Sequence, residues 1–344
     1  MRVLAQSHQA QEAIELVSHL QKYFVERLDK FSRDFGENIP FEEVEWLRDG
    51  GVHGGGNRYE ARDGKVFNRA SVNVSQVHYD EDKTKKLASA TAISTIIHPK
   101  NPYVPSMHMH ISWTQMRDGS GYWRIMGDLN PAIFNDSYRD RFDAMFKQSA
   151  KAHYEEGRVQ GDNYFNIPVL GRTRGVSHFY LENFNSGDFM ADYAYAKSMG
   201  EAIIDEYIAI INEAIEKNPS YSKEDLQKQL NYHTLYLFQV LTLDRGTTSG
   251  LLVHNQNDIG IMGSIPSHID RELLASWVEL MPAPQDKLLL SLLDALPKSN
   301  PAAVDIDTKI KLAQVVREHY KKYPEALKMQ ASGEIVPPTV SNHN

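Results

Sequence analysis

The sequence predicts an α+β fold, with a large, mainly antiparallel sheet flanked by helices on both faces and a helical C-terminal extension. Between residues 66 and 126, short runs rich in Val, Ile, Thr and aromatic residues follow one another without intervening helical patterns. Such a succession favours an antiparallel sheet over a parallel one, whose strands alternate with helices. Before and after this region, apolar residues recur every three or four positions, as on one face of a helix.

The composition fits a folded, enzyme-sized chain and excludes several classes of protein. The 344 residues are 41% hydrophobic and 10% aromatic, enough for a large core. With 37 Lys and Arg against 45 Asp and Glu, the net charge of -8 argues against a general nucleic-acid-binding protein. The lack of cysteine excludes disulfides and thiol nucleophiles and fits a reducing compartment. No apolar run reaches the roughly 18 residues of a membrane span, so we expect a cytoplasmic protein without a membrane partner.

Helical patterns lie at both ends of the chain and between the predicted strands. The first extends from Ile14 to Phe31, where apolar side chains form a continuous stripe. Near the C-terminus, a capping box at Ser267 and Asp270 predicts the start of another helix. Further predicted helices occupy residues 137–154, 196–214, 287–296 and 310–320.

Strand-like composition marks two regions of the chain. In the first region, the predicted strands are residues 71–78, 90–98, 107–113 and 122–126. In the second, β-branched and aromatic residues predict an antiparallel meander over residues 235–243, 250–254 and 259–265. Two stretches are predicted to be irregular: the glycine-rich residues 50–64, as a turn or ligand-binding loop, and the mixed residues 164–183.

No internal repeat or low-complexity linker divides the chain. We therefore predict one α+β domain over residues 1–266 and a helical extension over residues 267–344 that packs on it. The tail after residue 332 is expected to be loose.

A predicted strand after the proline-rich stretch carries two histidines on one face. Because side chains alternate along a strand, one side presents the polar residues Ser106, His108, His110 and Ser112. His98 ends the preceding strand, so we expect three imidazoles to approach one cavity. A lone histidine is usually structural, but paired histidines opposite an apolar face are about as often functional.

These histidines and two acids are the candidate reactive groups. Two imidazoles two positions apart on a strand can ligate one transition metal, with His98 as a third ligand. No carboxylate has an obvious ligand spacing, so a metal-dependent enzyme is the last-ranked hypothesis. Asp128 follows a strand within a glycine- and proline-rich stretch, and Asp244 stands at another predicted strand end. Each is either a functional carboxylate or an Asx-turn or cap.

One segment has a specific resemblance to a known family. Residues 94–108, Ser-Thr-Ile-Ile-His-Pro-Lys-Asn-Pro-Tyr-Val-Pro-Ser-Met-His, closely resemble the signature of oxygen-dependent coproporphyrinogen III oxidases. Further blocks match in order between residues 54 and 266. They are the glycine run with Arg58, Val72-Asn73-Val74-Ser75, Asp128-Leu129-Asn130-Pro131, Arg174-Gly175 and Asp244-Arg245-Gly246-Thr247.

The resemblance implies oxidative decarboxylation of two propionates of coproporphyrinogen III to vinyl groups, giving protoporphyrinogen IX in haem biosynthesis. It also implies a homodimer that uses molecular oxygen as co-substrate, without an organic cofactor or a metal. By position, His108 falls on the acid/base histidine of the family. Asp128 and Asp244 fall on the carboxylates that are associated with the tetrapyrrole. The expected substrate-binding residues are Ser94, His98, His110, Arg58, Arg174 and Arg245.

Two positions depart from the family pattern. Ser112 and Gln256 stand where the resemblance leads us to expect arginines that bind propionates. Candidate replacements, each also compatible with a surface position, are Arg58, Arg124, Arg172, Arg174 and Lys100. The departures leave open a second function, in which the protein binds another tetrapyrrole without decarboxylating it.

Overall fold

A seven-stranded antiparallel sheet forms the centre of the computed structural model, which describes residues 1–37, 41–334 and 339–343. The strands lie in chain order, and every neighbouring pair is antiparallel. The predicted fold class is therefore confirmed. The strands are β1 (Glu42–Leu47), β2 (Gly54–Arg62), β3 (Phe67–His78), β4 (Leu87–Pro99), β5 (Ser106–Met116), β6 (Gly121–Asn130) and β7 (Ser177–Phe184).

Eleven α-helices occur in the described ranges, together with short 3₁₀ turns and two ladders of two residues per strand. The ladders pair Asn166–Ile167 with Arg172–Thr173 and His268–Ile269 with Ala302–Ala303. Among the described residues, no helix is both long and apolar enough to span a bilayer. The helices are α1 (His8–Asp34), α2 (Asp136–Ala150), α3 (Tyr154–Tyr164), α4 (Phe189–Lys217), α5 (Lys223–Thr242), α6 (Arg245–Val253), α7 (Asp258–Ile261), α8 (Arg271–Ala275), α9 (Gln285–Ala295), α10 (Ile306–Lys322) and α11 (Thr339–Asn342).

The two faces of the sheet are covered differently. On one face, α1, α2 and α4 bury an apolar core against inward-facing strand residues such as Met107, Met109 and Ile111. On the other face, a second core joins Ile96 of β4 to apolar residues of α5, α9 and α10. This second core contains residues from both sides of position 266, so the division at that position stays a prediction.

The predicted meander over residues 235–265 is wrong, because α5, α6 and α7 occupy this region. Helix α5 begins at a capping box formed by Ser222 and Asp225. All residues from Tyr232 to Thr242 are buried, since this half of the helix is packed on every side. A helix that is buried all round loses its apolar stripe, and its sequence then has the continuous apolar composition of a buried strand.

The glycine-rich residues 50–64 are also not a loop throughout, because they include β2. A Cβ on Gly56 would lie 2.2 Å from the carbonyl oxygen of Val74 in β3. Glycine is therefore required there by the close approach of two strands. The irregular structure predicted for residues 164–183 is wrong in part, because this stretch includes most of β7. The capping box predicted at Ser267 and Asp270 is not formed, because Asp270 is itself the N-cap of α8.

The predicted loose tail after residue 332 has ordered contacts where the structure describes it. The backbone N–H of Gly333 donates a 3.1 Å hydrogen bond to the buried carboxylate of Glu182. Helix α11 lies beside α6, and the side chain of Asn342 is buried. Residues 335–338 and 344 of the predicted tail lie outside the described residues.

Candidate active site

The polar face of the sheet forms one wall of a cavity of about 290 Å³, at the lower end of the range for small-molecule sites. Strands β3 to β6 supply most of this wall, and Tyr180 of β7 also contributes. The opposite walls come from α5, α6 and the segment from Gly260 to Ser264, with α11 and His343 at one side. The cavity therefore joins residues that are more than 200 positions apart in the sequence.

The predicted alternation along β5 is confirmed. His108, His110 and Ser112 line the cavity, whereas Met107, Met109, Ile111 and Trp113 are in the core beneath α1 and α4. Ser94 of β4 lies directly opposite His110 in the ladder and also lines the cavity. Burial and the nearby Arg124 guanidinium lower the pKa of His110 to about 3, so its imidazole is neutral at physiological pH.

His108 is held by a buried charge network behind the cavity wall. Its Nδ1–H donates to Oδ1 of Asp128 at 2.8 Å, and the two residues are directly opposite in the β5–β6 ladder. Asp128 also accepts hydrogen bonds from Arg174, at 2.8 Å, and from the side-chain amide of Asn130. Arg174 in turn donates to Gln239 at 2.8 Å. These hydrogen bonds fix the orientation of the His108 imidazole from the side that faces away from the cavity.

The network keeps Asp128 ionised. Burial by itself would raise the pKa of Asp128, but Arg174, His108 and Asn130 outweigh it and hold the pKa well below its usual range. Because Nδ1–H of His108 donates its hydrogen bond to Asp128, Nε2 is the ring nitrogen that can exchange a proton on the cavity side. No hydrogen bond to Nε2 is formed within the described part of the chain.

Asp244 is the carboxylate that reaches the cavity wall itself. It caps the N-terminus of α6, where the backbone N–H of Thr247 donates to its Oδ1 at 2.6 Å. The hydroxyl of Tyr164 donates to the other oxygen at 2.9 Å. Asp244 is therefore a helix cap that also lines the cavity, and its interpretation as a functional carboxylate stays a prediction.

Three arginines line the cavity: Arg124, Arg174 and Arg245. Arg174 is paired with Asp128, and Arg245 forms a buried ion pair with Glu182. Of the candidates considered from the sequence, Arg172 and Lys100 contact backbone carbonyls away from the cavity. Arg174 thus forms a structural ion pair, and its expected contact with a substrate stays a prediction.

Three of the predicted site residues do not line the cavity. Asp128 is fully buried beneath it, so its expected direct contact with the ligand is corrected to a contact with His108. His98 lies on the same face of the sheet as His108 but is covered by α5. Both of its ring nitrogens form hydrogen bonds, one with the hydroxyl of Ser106 and one with the backbone carbonyl of Ser264. Arg58 forms a buried ion pair with Glu60.

Sequence patterns missed several residues of the cavity wall. Tyr164, Tyr180 and Tyr236 lie in stretches predicted to be irregular or strand, and Thr339 and His343 lie in the predicted tail. No local motif marks these positions, because tertiary packing alone brings them to the sheet. Over the described ranges, no group of three or more His, Asp or Glu side chains is placed to hold a metal ion.

Comparison with known proteins identifies similar sequences over most of the chain. The family described as "Coproporphyrinogen III oxidase" matches residues 12–288. The "Oxygen-dependent coproporphyrinogen-III oxidase, mitochondrial" of Rattus norvegicus is 28% identical over 281 residues, which cover 74% of this chain and 61% of that protein. The Homo sapiens protein of the same name is 28% identical over 278 residues, covering 74% and 58%. The "Oxygen-dependent coproporphyrinogen-III oxidase" of Rickettsia bellii (strain RML369-C) is 28% identical over 243 residues, covering 67% and 84%.

The matched lengths differ between these relatives. The aligned part of this chain spans about three fifths of the two mammalian proteins and a larger share of the bacterial one. Residues after 288 lie beyond the range that the family matches. Helices α10 and α11 are in this part of the chain, and α11 contributes to the cavity wall.

Proposed function

The chain belongs to the coproporphyrinogen III oxidase family, and from that premise we propose that it converts two propionates of coproporphyrinogen III to vinyl groups in an oxygen-dependent reaction. The product is protoporphyrinogen IX, in haem biosynthesis. The observation that carries this proposal is the buried Asp128 carboxylate behind His108, with the imidazole facing a cavity that also holds arginines. A positioned imidazole and cations suit a substrate that carries several carboxylates.

Each propionate must lose its carboxylate as carbon dioxide, together with two electrons and one proton, and the proton leaves from the side-chain carbon that is attached to the pyrrole ring. Dioxygen accepts two electrons and two protons and leaves as hydrogen peroxide, so the atoms and charges balance with a net uptake of one proton. His108 is proposed to exchange a proton through Nε2 at the reacting arm, while Asp128 stabilises the imidazolium form. No organic cofactor or metal is included in this proposal, since dioxygen itself is the oxidant.

Asp244 is proposed to accept hydrogen bonds from the pyrrole N–H groups of the macrocycle. Its carboxylate is part of the cavity wall, and the hydroxyl of Tyr164 together with the start of α6 fixes its orientation. A carboxylate in this position also stabilises positive charge that develops on an oxidised ring. Ser94 and His110 contribute neutral hydrogen-bonding groups on the same wall.

The experiment adds coproporphyrinogen III to the protein under argon and then admits oxygen, with carbon dioxide and vinyl products measured. We expect no carbon dioxide before oxygen is admitted and protoporphyrinogen IX afterwards. Tight binding of the porphyrinogen without any product under air would contradict the proposal and would favour a tetrapyrrole-binding role. Elemental analysis of protein purified without a metal-affinity tag completes the test, because a metal that tracks with activity would contradict the metal-free reaction.

The remaining parts of the proposal concern assembly and location. We propose a homodimer in the cytoplasm, supported by the family resemblance and by a cysteine-free composition that suits a reducing compartment. Light scattering coupled to size-exclusion chromatography tests the dimer, and a 39.1 kDa species at all concentrations would contradict it. Cell fractionation with antibody detection tests the location.

A further inference from the structure

One arginine of the cavity differs from the other two in its charge partners. Arg174 and Arg245 each form an ion pair with a buried carboxylate, Asp128 and Glu182 respectively. Arg124 forms no ion pair with any carboxylate of residues 1–37, 41–334 and 339–343. Its positive charge is therefore the one that the surrounding protein does not neutralise by direct contact.

The contacts of Arg124 are all made with neutral groups. One terminal nitrogen donates to the hydroxyls of Tyr122, at 3.3 Å, and Thr339, at 3.1 Å. Its Nε–H is buried and lacks a hydrogen-bond partner. Because Nε is buried, an incoming carboxylate would be bound by the terminal nitrogens of the guanidinium, and carboxylates accept bidentate hydrogen bonds from arginine.

The strand register places Arg124 at a distance from the proposed reacting group. Arg124 lies directly opposite Ser112 in the β5–β6 ladder, and Ser112 is four positions beyond His108 along β5. At about 3.3 Å per residue, the two points are separated by roughly 13 Å along the wall. One small carboxylate cannot occupy both points, whereas a macrocycle with carboxylates around its rim can reach both.

We propose that Arg124 binds a substrate carboxylate that does not react, while His108 acts on another arm of the same macrocycle. This inference rests on the proposed function and adds a specificity-determining residue to it. Ser112 stands where the family pattern led us to expect an arginine, and β6 supplies a guanidinium to the same part of the cavity from the neighbouring strand. Thr339 of α11 helps to orient it, from a segment beyond the range that the family matches.

The test compares Arg124→Gln and Arg124→Lys with wild type. Steady-state kinetics with coproporphyrinogen III give KM and kcat, and fluorescence titration with coproporphyrin III, its aromatic tetracarboxylate form, gives a Kd without turnover. We expect Arg124→Gln to raise KM and Kd roughly 10- to 100-fold, the effect of one charge-assisted contact, with kcat within about threefold of wild type. Arg124→Lys should bind more tightly than the glutamine variant, because it keeps the charge.

Arg139→Gln is the matched control, since this arginine pairs with acids on the surface of α2. A Kd of Arg124→Gln within twofold of wild type, or equal weakening in the control, overturns the inference. If the glutamine variant does not fold, Arg124→Met, which also removes the charge, is measured in its place, and a Kd within twofold of wild type at a wild-type melting temperature overturns the inference. Should wild type bind coproporphyrin III but not turn over coproporphyrinogen III, the proposed function fails while the binding comparison still decides the role of Arg124.

Discussion

Replacement of Asp128 by asparagine should destabilise the protein through Arg174. Asp128 and Arg174 are both almost completely buried, and they form a 2.8 Å ion pair. The Asp128→Asn variant keeps the shape of the side chain but leaves the guanidinium with neutral side-chain acceptors only, which include Gln239. Removal of one partner from a buried ion pair costs about 3–5 kcal/mol, and we expect a loss near the lower limit because asparagine retains one acceptor oxygen.

The loss should depend on pH, because the Arg174 guanidinium and the other partners hold the pKa of Asp128 in the folded protein below its ordinary value of 3.8. A depressed carboxyl pKa contributes stability that is present above the unfolded pKa and disappears as the pH falls through the folded pKa. The difference in free energy of unfolding between wild type and variant should therefore be constant above about pH 5. Below about pH 4 it should shrink by up to about 1.4 kcal/mol per pH unit.

Urea denaturation followed by circular dichroism, repeated between pH 7 and pH 3, measures this difference. Asp136→Asn is the control, because its exposed ion pair with Arg139 should contribute almost nothing. A difference at pH 7 below about 1 kcal/mol, or one that stays constant down to pH 3, would refute the reasoning that the pair is buried and ionised.

Three further substitutions, the last with a matched control variant, test other parts of the structure. Tyr164→Phe removes the buried hydrogen bond to Asp244 and should lower kcat/KM roughly tenfold, with a fall of about 0.5–1.5 kcal/mol in the free energy of unfolding; unchanged kinetics would argue against a role for this contact. His98→Phe leaves two buried partners without hydrogen bonds, so the free energy of unfolding should fall by about 1–3 kcal/mol. The kcat of this variant should stay within about threefold of the wild-type value. A larger loss of kcat in a folded variant would indicate that His98 contacts the substrate. Gly56→Ala should prevent stable folding, because its Cβ would meet a backbone carbonyl of the next strand. Gly171→Ala, where nothing lies within 4 Å of the added carbon, should cost only about 1 kcal/mol from its left-handed backbone; equal losses in both variants would refute the steric argument.

The sequence was sufficient for the part of the fold in which one face of an element is polar and the other apolar. In β5, the alternation of polar and apolar residues predicted both the strand and the cavity side of His108 and His110. The apolar stripe likewise predicted α1 correctly, because this helix packs on the core with one face only. The second half of α5 is buried on all sides and carries no such contrast, and its prediction as a strand failed for that reason.

The depth of Asp128 could not be predicted from its neighbours in the sequence. Its glycine and proline neighbours indicated a turn, but β6 continues to Asn130 and every residue from Ile125 to Asn130 is buried. The β5–β6 register sets Asp128 against His108, and register depends on the pairing of whole strands rather than on a local motif. The same limit applies to Thr339, which reaches Arg124 across 215 positions.

The most direct test of the central claim measures whether His108 exchanges the proton during decarboxylation in the cavity. Oxygen consumption and carbon dioxide release are followed together for wild type and His108→Asn, with coproporphyrin III titration as the measure of binding. If His108 has this role, as we propose, wild type should release one carbon dioxide per dioxygen, and the variant should have a kcat about 10²- to 10⁴-fold lower at similar Kd. A folded His108→Asn variant that releases carbon dioxide at the wild-type rate would contradict it.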